Sequence, residues 1–398
     1  MRVLLVTRNF FPAGVRGGAQ VSVKQVALGL MELGHDVAVL NVDDHEHIGV
    51  HESGIPEYRL KLRNVYTQKA GGKLQKALWH FTDRFTNLME GRYREVIRDF
   101  RPDVINTHVM AGIGIGLWKA AAAEKVPVVH RVSDYYLTCI NSGYRRGDEN
   151  CAVACQNCRM LALRNAQTVT PIVSHIIYVS ERIKELYDRN AVFPASTPFS
   201  IIPGAYRAGS FRHESNFVDG QRLTLGFFGR IAPEKGLDGL LSTLERLEGV
   251  EWSMLVGGPG DKAYIDGLKA RFGHLPVDFI GVQNPDDFYS RIDALVVSSL
   301  WEEPSGRVAF ESGLHGVVPI VTNRGGLPEM VGHGSRGLVF DPEQPDTLIE
   351  AVTKVARDHD FRRQVKAAWI AGTPDFDPQV VAQKTYDIYQ SVIAGYQA

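Results

Sequence analysis

Short apolar runs, each about the length of one strand, recur along the whole chain, and stretches with helical spacing separate them. A run that is apolar on both faces suits a strand covered on both sides of a parallel sheet. Regular alternation of such runs with helices dictates an α/β architecture. The candidate strands of the first half are residues 3–6, 37–42, 104–106, 126–130 and 176–179. Those of the second half are 223–229, 252–256, 277–280, 294–297, 319–321 and 337–340. Residues 22–33 read as the first helix, with Val23, Val26, Ala27 and Leu30 on one face and Gly34 ending it.

At 398 residues the chain is long for a single core, and two doubly wound, Rossmann-like domains facing a central cleft are expected. The first spans 1–203 with about 378–398 added, and the second spans 204–377. The boundary lies near Ile201-Ile202-Pro203-Gly204, ahead of the polar stretch 213–221. Sheets of this kind bind ligands at the carboxyl ends of their strands. A formal net charge of −1 gives no global pull toward nucleic acid. No uninterrupted apolar stretch is long enough to cross a bilayer. The apolar start, residues 1–6, is short for a signal peptide and is ended by Asn9 and Pro12. A cytoplasmic location is expected.

Glu303 and Glu311 sit eight positions apart in Trp301-Glu302-Glu303-Pro304-Ser305-Gly306-Arg307-Val308-Ala309-Phe310-Glu311. Pro304 suits a first helical position, where its missing N–H is no loss. The free N–H groups and dipole of that helix start favour a phosphate. On an ideal helix the two carboxylates would be about 12 Å apart along the axis and about 80° apart around it. They make no acid/base dyad, but they can grip two ends of one elongated ligand with phosphates between them, the shape of a sugar nucleotide. Paired glutamates at this spacing also occur on ordinary helix surfaces.

The surrounding motifs give the pair its weight. Ser298-Ser299-Leu300-Trp301-Glu302-Glu303-Pro304 through Glu311, then Gly316-Val317-Val318-Pro319-Ile320-Val321 and Gly325-Gly326-Leu327-Pro328-Glu329, resembles glycosyltransferase family four. These are retaining enzymes of the GT-B fold. Gly17-Gly18-Ala19, Gly34-His35-Asp36-Val37, Gly229-Arg230 and Glu234-Lys235-Gly236 extend the resemblance over nearly the whole chain. It implies transfer of a sugar from a nucleotide-diphosphate donor, with no metal required for the reaction. The acceptor would be a saccharide or a lipid-linked saccharide, in surface polysaccharide or glycolipid synthesis. Attack on the same face as departure, with the leaving diphosphate oxygen taking the acceptor proton, needs no protein nucleophile. In the family the last helix, here 380–396, crosses back onto the first domain.

Carried over residue by residue, the resemblance puts Glu303 against the transferred sugar and Glu311 at the ribose hydroxyls. Carboxylates suit both places as pure acceptors. Arg230 and Lys235, on a turn between a strand and the helix carrying Leu237, Leu240, Leu241 and Leu244, would neutralise the diphosphate as it leaves. Ser305, Gly306 and Arg307 lie near the expected diphosphate, and Val282, after Gly281, at the base. The loop with Gly17 and Gly18 would close over the phosphates. The glycines from Gly14 to Gly18 lack the dinucleotide fingerprint, which speaks against a dehydrogenase. Gly257-Gly258-Pro259 reads equally as a plain turn or a ligand contact. Relatives carry a His before an Asp-Tyr pair; here Ser133 precedes Asp134-Tyr135-Tyr136, with His130 and His108 as candidate replacements and Asp134 kept as a site residue. The alternatives are a GT-B nucleotide-sugar epimerase or phosphorylase, or a non-catalytic saccharide-binding scaffold.

Two features stand outside this reaction. Cys139, Cys151, Cys155 and Cys158 are the only cysteines and fall within twenty residues. Such clustering in a cytosolic chain points to metal or redox chemistry. A structural zinc site, free thiols and an iron–sulfur cluster all fit the spacing. The stretch 59–101 mixes Lys69, Lys73, Lys76 and Arg84 with Leu74, Leu78, Trp79, Phe81 and Phe85. It reads as a basic amphipathic helix suited to the inner face of the plasma membrane, or as an ordinary half-buried helix.

Overall fold

The computed structural model describes residues 1–10, 18–62, 73–207 and 221–397. The chain divides into two compact units. One comprises Met1–Arg146, Asn150–Tyr206 and Asp375–Ala398, the other Gly147–Glu149 and Arg207–Pro374.

The first unit is built on β1 (Arg2–Val6), β2 (Asp36–Asp43), β3 (His47–Val50), β4 (Pro56–Lys61), β5 (Val104–Thr107), β6 (Val128–Val132), β7 (Val173–Tyr178) and β8 (Phe199–Ile201). Their order across the sheet is β8-β7-β6-β5-β1-β2-β4-β3. All pairs are parallel except β3 with β4. The edge strands β3 and β8, and β4 beside β3, escape an apolar-run reading because they are half-buried or exposed and carry polar residues. Strand β6 runs to Val132, beyond the expected end at His130, because Arg131 is buried. Its guanidinium donates to the carbonyls of Ile202 (2.8 Å) and Pro203 (2.7 Å), which stand in for water.

The helix Gly18–Glu32 starts four residues earlier than expected and buries Val23, Val26, Ala27 and Leu30 against Val3, Leu5, Val37 and Val39. The last helix, Pro378–Gln397, adds Val381, Ala382, Tyr389 and Val392 to the same core. The two helices touch at Gly29, where an added Cβ would lie 2.7 Å from the Ala382 Cβ.

Residues 59–101 do not form one helix. They hold the end of β4 and the helices Lys73–Phe85 and Glu90–Phe100. Lys69 lies outside the described residues, as do the side chains of Lys73, Leu74 and Lys76. Arg84, expected on the basic outer face, is buried: it donates to the carbonyls of Tyr136 (2.6 Å) and Cys139 (3.1 Å). Beside it, Asp83 accepts from the Gly112 N–H (2.9 Å) and the Tyr136 hydroxyl (2.7 Å). Burial pushes the Asp83 carboxyl up to about 6, against the pull of these donors and Arg84. A raised folded-state value means that the native state holds its proton where the unfolded chain has lost it. That contribution is complete below the unfolded value and is lost as pH rises through about 6. The melting temperature is therefore expected to fall between about pH 4 and 6 and to level off above, by the equivalent of at most about 3 kcal/mol. Asp83→Asn should flatten the slope, and a wild-type melting temperature constant over that window would contradict the assignment.

The second unit holds β9 (Leu223–Phe228), β10 (Trp252–Gly257), β11 (Val277–Gly281), β12 (Ala294–Val297), β13 (Val318–Thr322) and β14 (Leu338–Phe340), in the order β11-β10-β9-β12-β13-β14. Every pair is parallel, so all the carboxyl ends lie along one edge. The helix Leu237–Leu244 buries Leu237, Leu240, Leu241 and Leu244, the stripe read from the sequence.

Candidate active site

The loops after β9 and β12 meet at that edge. After β9 comes the turn Gly229 to Gly236, which contains the short helix Pro233–Lys235. Its backbone is fixed from two sides. The Ile231 N–H donates to the Pro259 carbonyl (2.7 Å), and the Leu300 N–H donates to the Glu234 carbonyl (2.9 Å). Two glycines make these approaches feasible. Gly258 has φ +140°, and a Cβ there would lie 1.8 Å from the Gly229 carbonyl oxygen. Gly236 has φ +70°, and a Cβ there would lie 2.1 Å from the Ser298 carbonyl oxygen. The loop 257–259 thus has a packing reason for its glycines.

This bolting delivers Lys235 to Glu303. Glu303 is buried, and its Oε1 accepts from the Ser299 hydroxyl (2.7 Å), the Trp301 indole N–H (2.9 Å) and the Lys235 ammonium. The ammonium also lies over the Trp301 ring, 5.2 Å from its centroid. Burial pushes the Glu303 carboxyl up, but the Lys235 charge and the three hydrogen bonds outweigh it, so the group sits below the usual glutamate value. All three donors take one oxygen. Among the described residues, Oε2 has no protein partner and keeps its acceptor capacity.

The helix expected from Pro304 begins at Arg307. Pro304, Ser305 and Gly306 stay outside it because Gly306, at φ +72°, turns the chain before the first helical residue. Glu303 is therefore on a loop, and the ideal-helix spacing to Glu311 does not apply. The loop is held from behind by Gly325 and Gly326: the Gly326 N–H donates to the Glu303 carbonyl (2.7 Å). A Cβ on Gly325 would lie 2.1 Å from that oxygen. Glu311, buried in the helix, is bonded through Oε1 to the Arg307 guanidinium and through Oε2 to the Tyr289 hydroxyl (3.1 Å).

Arg230 is not brought against Glu303. Its side chain is 60% exposed and pairs with Glu234 at 2.5 Å. Val282 is 74% exposed at the end of β11, next to Gly281 at φ +69°. Ser299, Trp301 and Tyr289 are members of the site to which the sequence assigned no role. The only signal for the first two was their place in the quoted motif.

Residues 210–369 match the family "Glycosyl transferases group 1", and residues 17–197 match the family "Glycosyl transferase 4-like domain". The chain is a family-four-type glycosyltransferase. An "Uncharacterized 42.6 kDa protein in cps region" of Klebsiella pneumoniae is 27% identical over 83% of this chain and 87% of its own length. The D-inositol 3-phosphate glycosyltransferase of Corynebacterium diphtheriae is 24% identical over 73% of this chain and 70% of its own. Among solved structures, HepE of Anabaena in complex with UDP and glucose superposes with a TM-score of 0.72 at 16% identity, covering 98% of this chain and 100% of HepE. WaaG, a glycosyltransferase involved in lipopolysaccharide biosynthesis, gives 0.65 at 16% identity, covering 97% and 99%. The fold is GT-B, with two Rossmann-like domains.

The remaining site candidates of the glycosyltransferase lie in the first unit. Gly17 is outside the described residues, and Gly18 is the first residue of its helix. Asp134 accepts from the Tyr136 N–H (2.8 Å), and burial raises its carboxyl to about 6. His130 is pinned in the core: its Nδ1 pairs with the Thr107 hydroxyl (2.8 Å), its ring meets Trp118 edge-on, and burial lowers it to about 3. His108 is also buried and held neutral, chiefly by desolvation; its Nε2 has no hydrogen-bond partner among the described residues. The four cysteines are unpaired by disulfides. No three His, Cys, Asp or Glu side chains among the described residues stand as a metal-holding group.

Proposed function

We propose that this glycosyltransferase moves a hexosyl group from a nucleoside-diphosphate sugar to a saccharide or lipid-linked saccharide, with retention at the anomeric carbon. The Glu303 arrangement carries the reading. An ionised carboxylate, fixed through one oxygen and open at the other, is built to accept a hydrogen bond from a sugar hydroxyl. Lys235 stands where a second charge can be offered to the departing diphosphate. Arg230, exposed on the same turn, can leave Glu234 for a phosphate oxygen at small loss, because exposed pairs contribute little. Glu311 keeps acceptor capacity beyond Arg307 and Tyr289 for ribose hydroxyls, and the backbone beside Val282 suits the base.

The bond from the anomeric carbon to the diphosphate oxygen breaks as the acceptor oxygen bonds on the same face. The acceptor proton passes to the leaving oxygen, and no protein nucleophile or metal is used. UDP, named with HepE, supports a uridine donor as the first to try. A panel of nucleotide sugars, assayed for nucleotide release with and without candidate acceptors, tests the reading. Acceptor-dependent release with an unchanged anomeric configuration is expected. Binding without turnover under every acceptor would favour a scaffold.

The acceptor side invites contact with a lipid surface. On the helix Lys73–Phe85, Leu78, Phe81 and Phe85 are exposed, with Leu88 just beyond, and the Phe81 and Phe85 rings stack at 5.5 Å. Among the described residues no helix is long and apolar enough to cross a membrane, so such contact would be peripheral, at the inner face of the plasma membrane. Phe81→Ser is expected to weaken sedimentation with anionic vesicles at low salt. A wild-type protein that stays in the supernatant would remove the idea.

A further inference from the structure

The cysteine quartet has no part in sugar transfer, yet its surroundings are specialised. Cys139 and Cys158 are buried, and Cys151 and Cys155 are half-buried. The Cys139 sulfur accepts from the Cys158 thiol and from the backbone N–H groups of Asn141, Gly143 and Tyr144. The Cys158 sulfur is met by the N–H of Ile140 and contacts Cys155. The Cys155 sulfur accepts from the N–H groups of Asn157 and Cys158 itself. Cys151 lies within electrostatic range of both Cys139 and Cys155, and its N–H donates to the Tyr144 carbonyl (2.9 Å).

A neutral buried thiol behaves as a small apolar group and needs no such array. Backbone N–H groups converging on several sulfurs form a concave nest for negative charge. The same donors make the outer shell that orients and tunes thiolate ligands. Neighbouring thiolates repel one another unless a cation lies between them. The loop they close, 140–150, has Ile140 and Tyr144 as its only apolar side chains, and the rest are polar, charged or glycine. Ser142 and Tyr144 also take left-handed φ of +53° and +50°. Tyr144 anchors the loop by stacking on Tyr135 at 5.0 Å and accepting from the Asn190 amide (2.8 Å), while the residues after it, 145–150, add no apolar side chain of their own.

We propose that Cys139, Cys151, Cys155 and Cys158 bind one structural zinc ion as a tetrahedral tetrathiolate. The side chains as placed form no three-ligand cage among the described residues; binding therefore requires the half-buried Cys151 and Cys155 to turn onto the ion, at the usual Zn–S distance of about 2.3 Å. Soft thiolates select such an ion over magnesium or calcium. Binding exchanges the thiol protons for the metal and releases them to solvent. The ion anchors the loop whose Cys139 carbonyl receives Arg84 from the helix Lys73–Phe85, so its loss should loosen that helix as well.

The test uses the full-length protein, purified under reducing conditions without chelator. Elemental analysis is expected to give about one zinc per chain, released when a mercurial titrates the thiols. Cobalt exchanged for zinc should give the intense visible bands of a tetrahedral thiolate site, which requires no mutant to fold. Cys151→Ser and Cys155→Ser, at the less buried positions, should lose the metal and melt earlier. Metal-free protein whose four thiols all react freely would overturn the proposal. So would a disulfide in the intact mass, or iron accompanied by acid-labile sulfide.

Discussion

Glu303→Gln is expected to slow sugar transfer by about 10- to 100-fold, the worth of one hydrogen bond to a charged acceptor, about 1.5–3 kcal/mol. Nucleoside-diphosphate affinity should change only a few-fold. Glutamine has the same shape, so the loop can keep its path. Three donors, from Ser299, Trp301 and Lys235, converge on Oε1, and they will select the amide oxygen for that position. The amide nitrogen must then take the place of Oε2. A donor replaces an acceptor where the sugar hydroxyl is proposed to sit, and the negative charge proposed to face the transferred sugar is gone. The loss should appear in kcat more than in KM, because the charge matters most as the glycosidic bond breaks. Turnover at the wild-type rate would remove Glu303 from the site. An equal loss in nucleotide binding would make it a structural anchor instead.

Much of this was legible in the residues. The strands of the second unit lie where the apolar runs put them because a strand covered on both faces must be apolar throughout. Arg131 shows why such reading stops short: a charge looks like a strand end, and only the folded chain reveals the carbonyls of Ile202 and Pro203 waiting for it. The helix start was misplaced for a similar reason. Pro304 is a good first helical residue, but Gly306 takes the left-handed conformation that closes the preceding turn. Motif spacing named Glu303 and Lys235, but not their contact, which joins residues 68 positions apart. Ser299 and Trp301 were invisible as site residues. Their donors reach Glu303 only because the loop after β12 bends back on itself, and no local pattern records that bend.

Lys235→Met should show how far the pair depends on its charge. Both side chains are largely shielded, Lys235 at 21% exposure and Glu303 at 10%. Removing one partner of such a pair leaves the other charge in a poor medium, an effect of about 3–5 kcal/mol for a fully buried pair and less here, where water reaches the ammonium. The variant is therefore expected to melt earlier than the wild type. The Glu303 carboxyl should also rise, because burial persists while the largest opposing influence is gone. Ionised Glu303 would then form only at higher pH than in the wild type, and the acid limb of the residual activity's pH profile should shift upward. Turnover should fall by about 10²–10³-fold, as for loss of a donor aimed at developing negative charge. The double variant Lys235→Met/Glu303→Gln separates the two effects. With no buried charge left unpaired it should recover part of the lost stability and none of the activity. A double variant no more stable than Lys235→Met alone would mean that the ammonium serves only the diphosphate, and that Glu303 is held ionised by Ser299 and Trp301 without it.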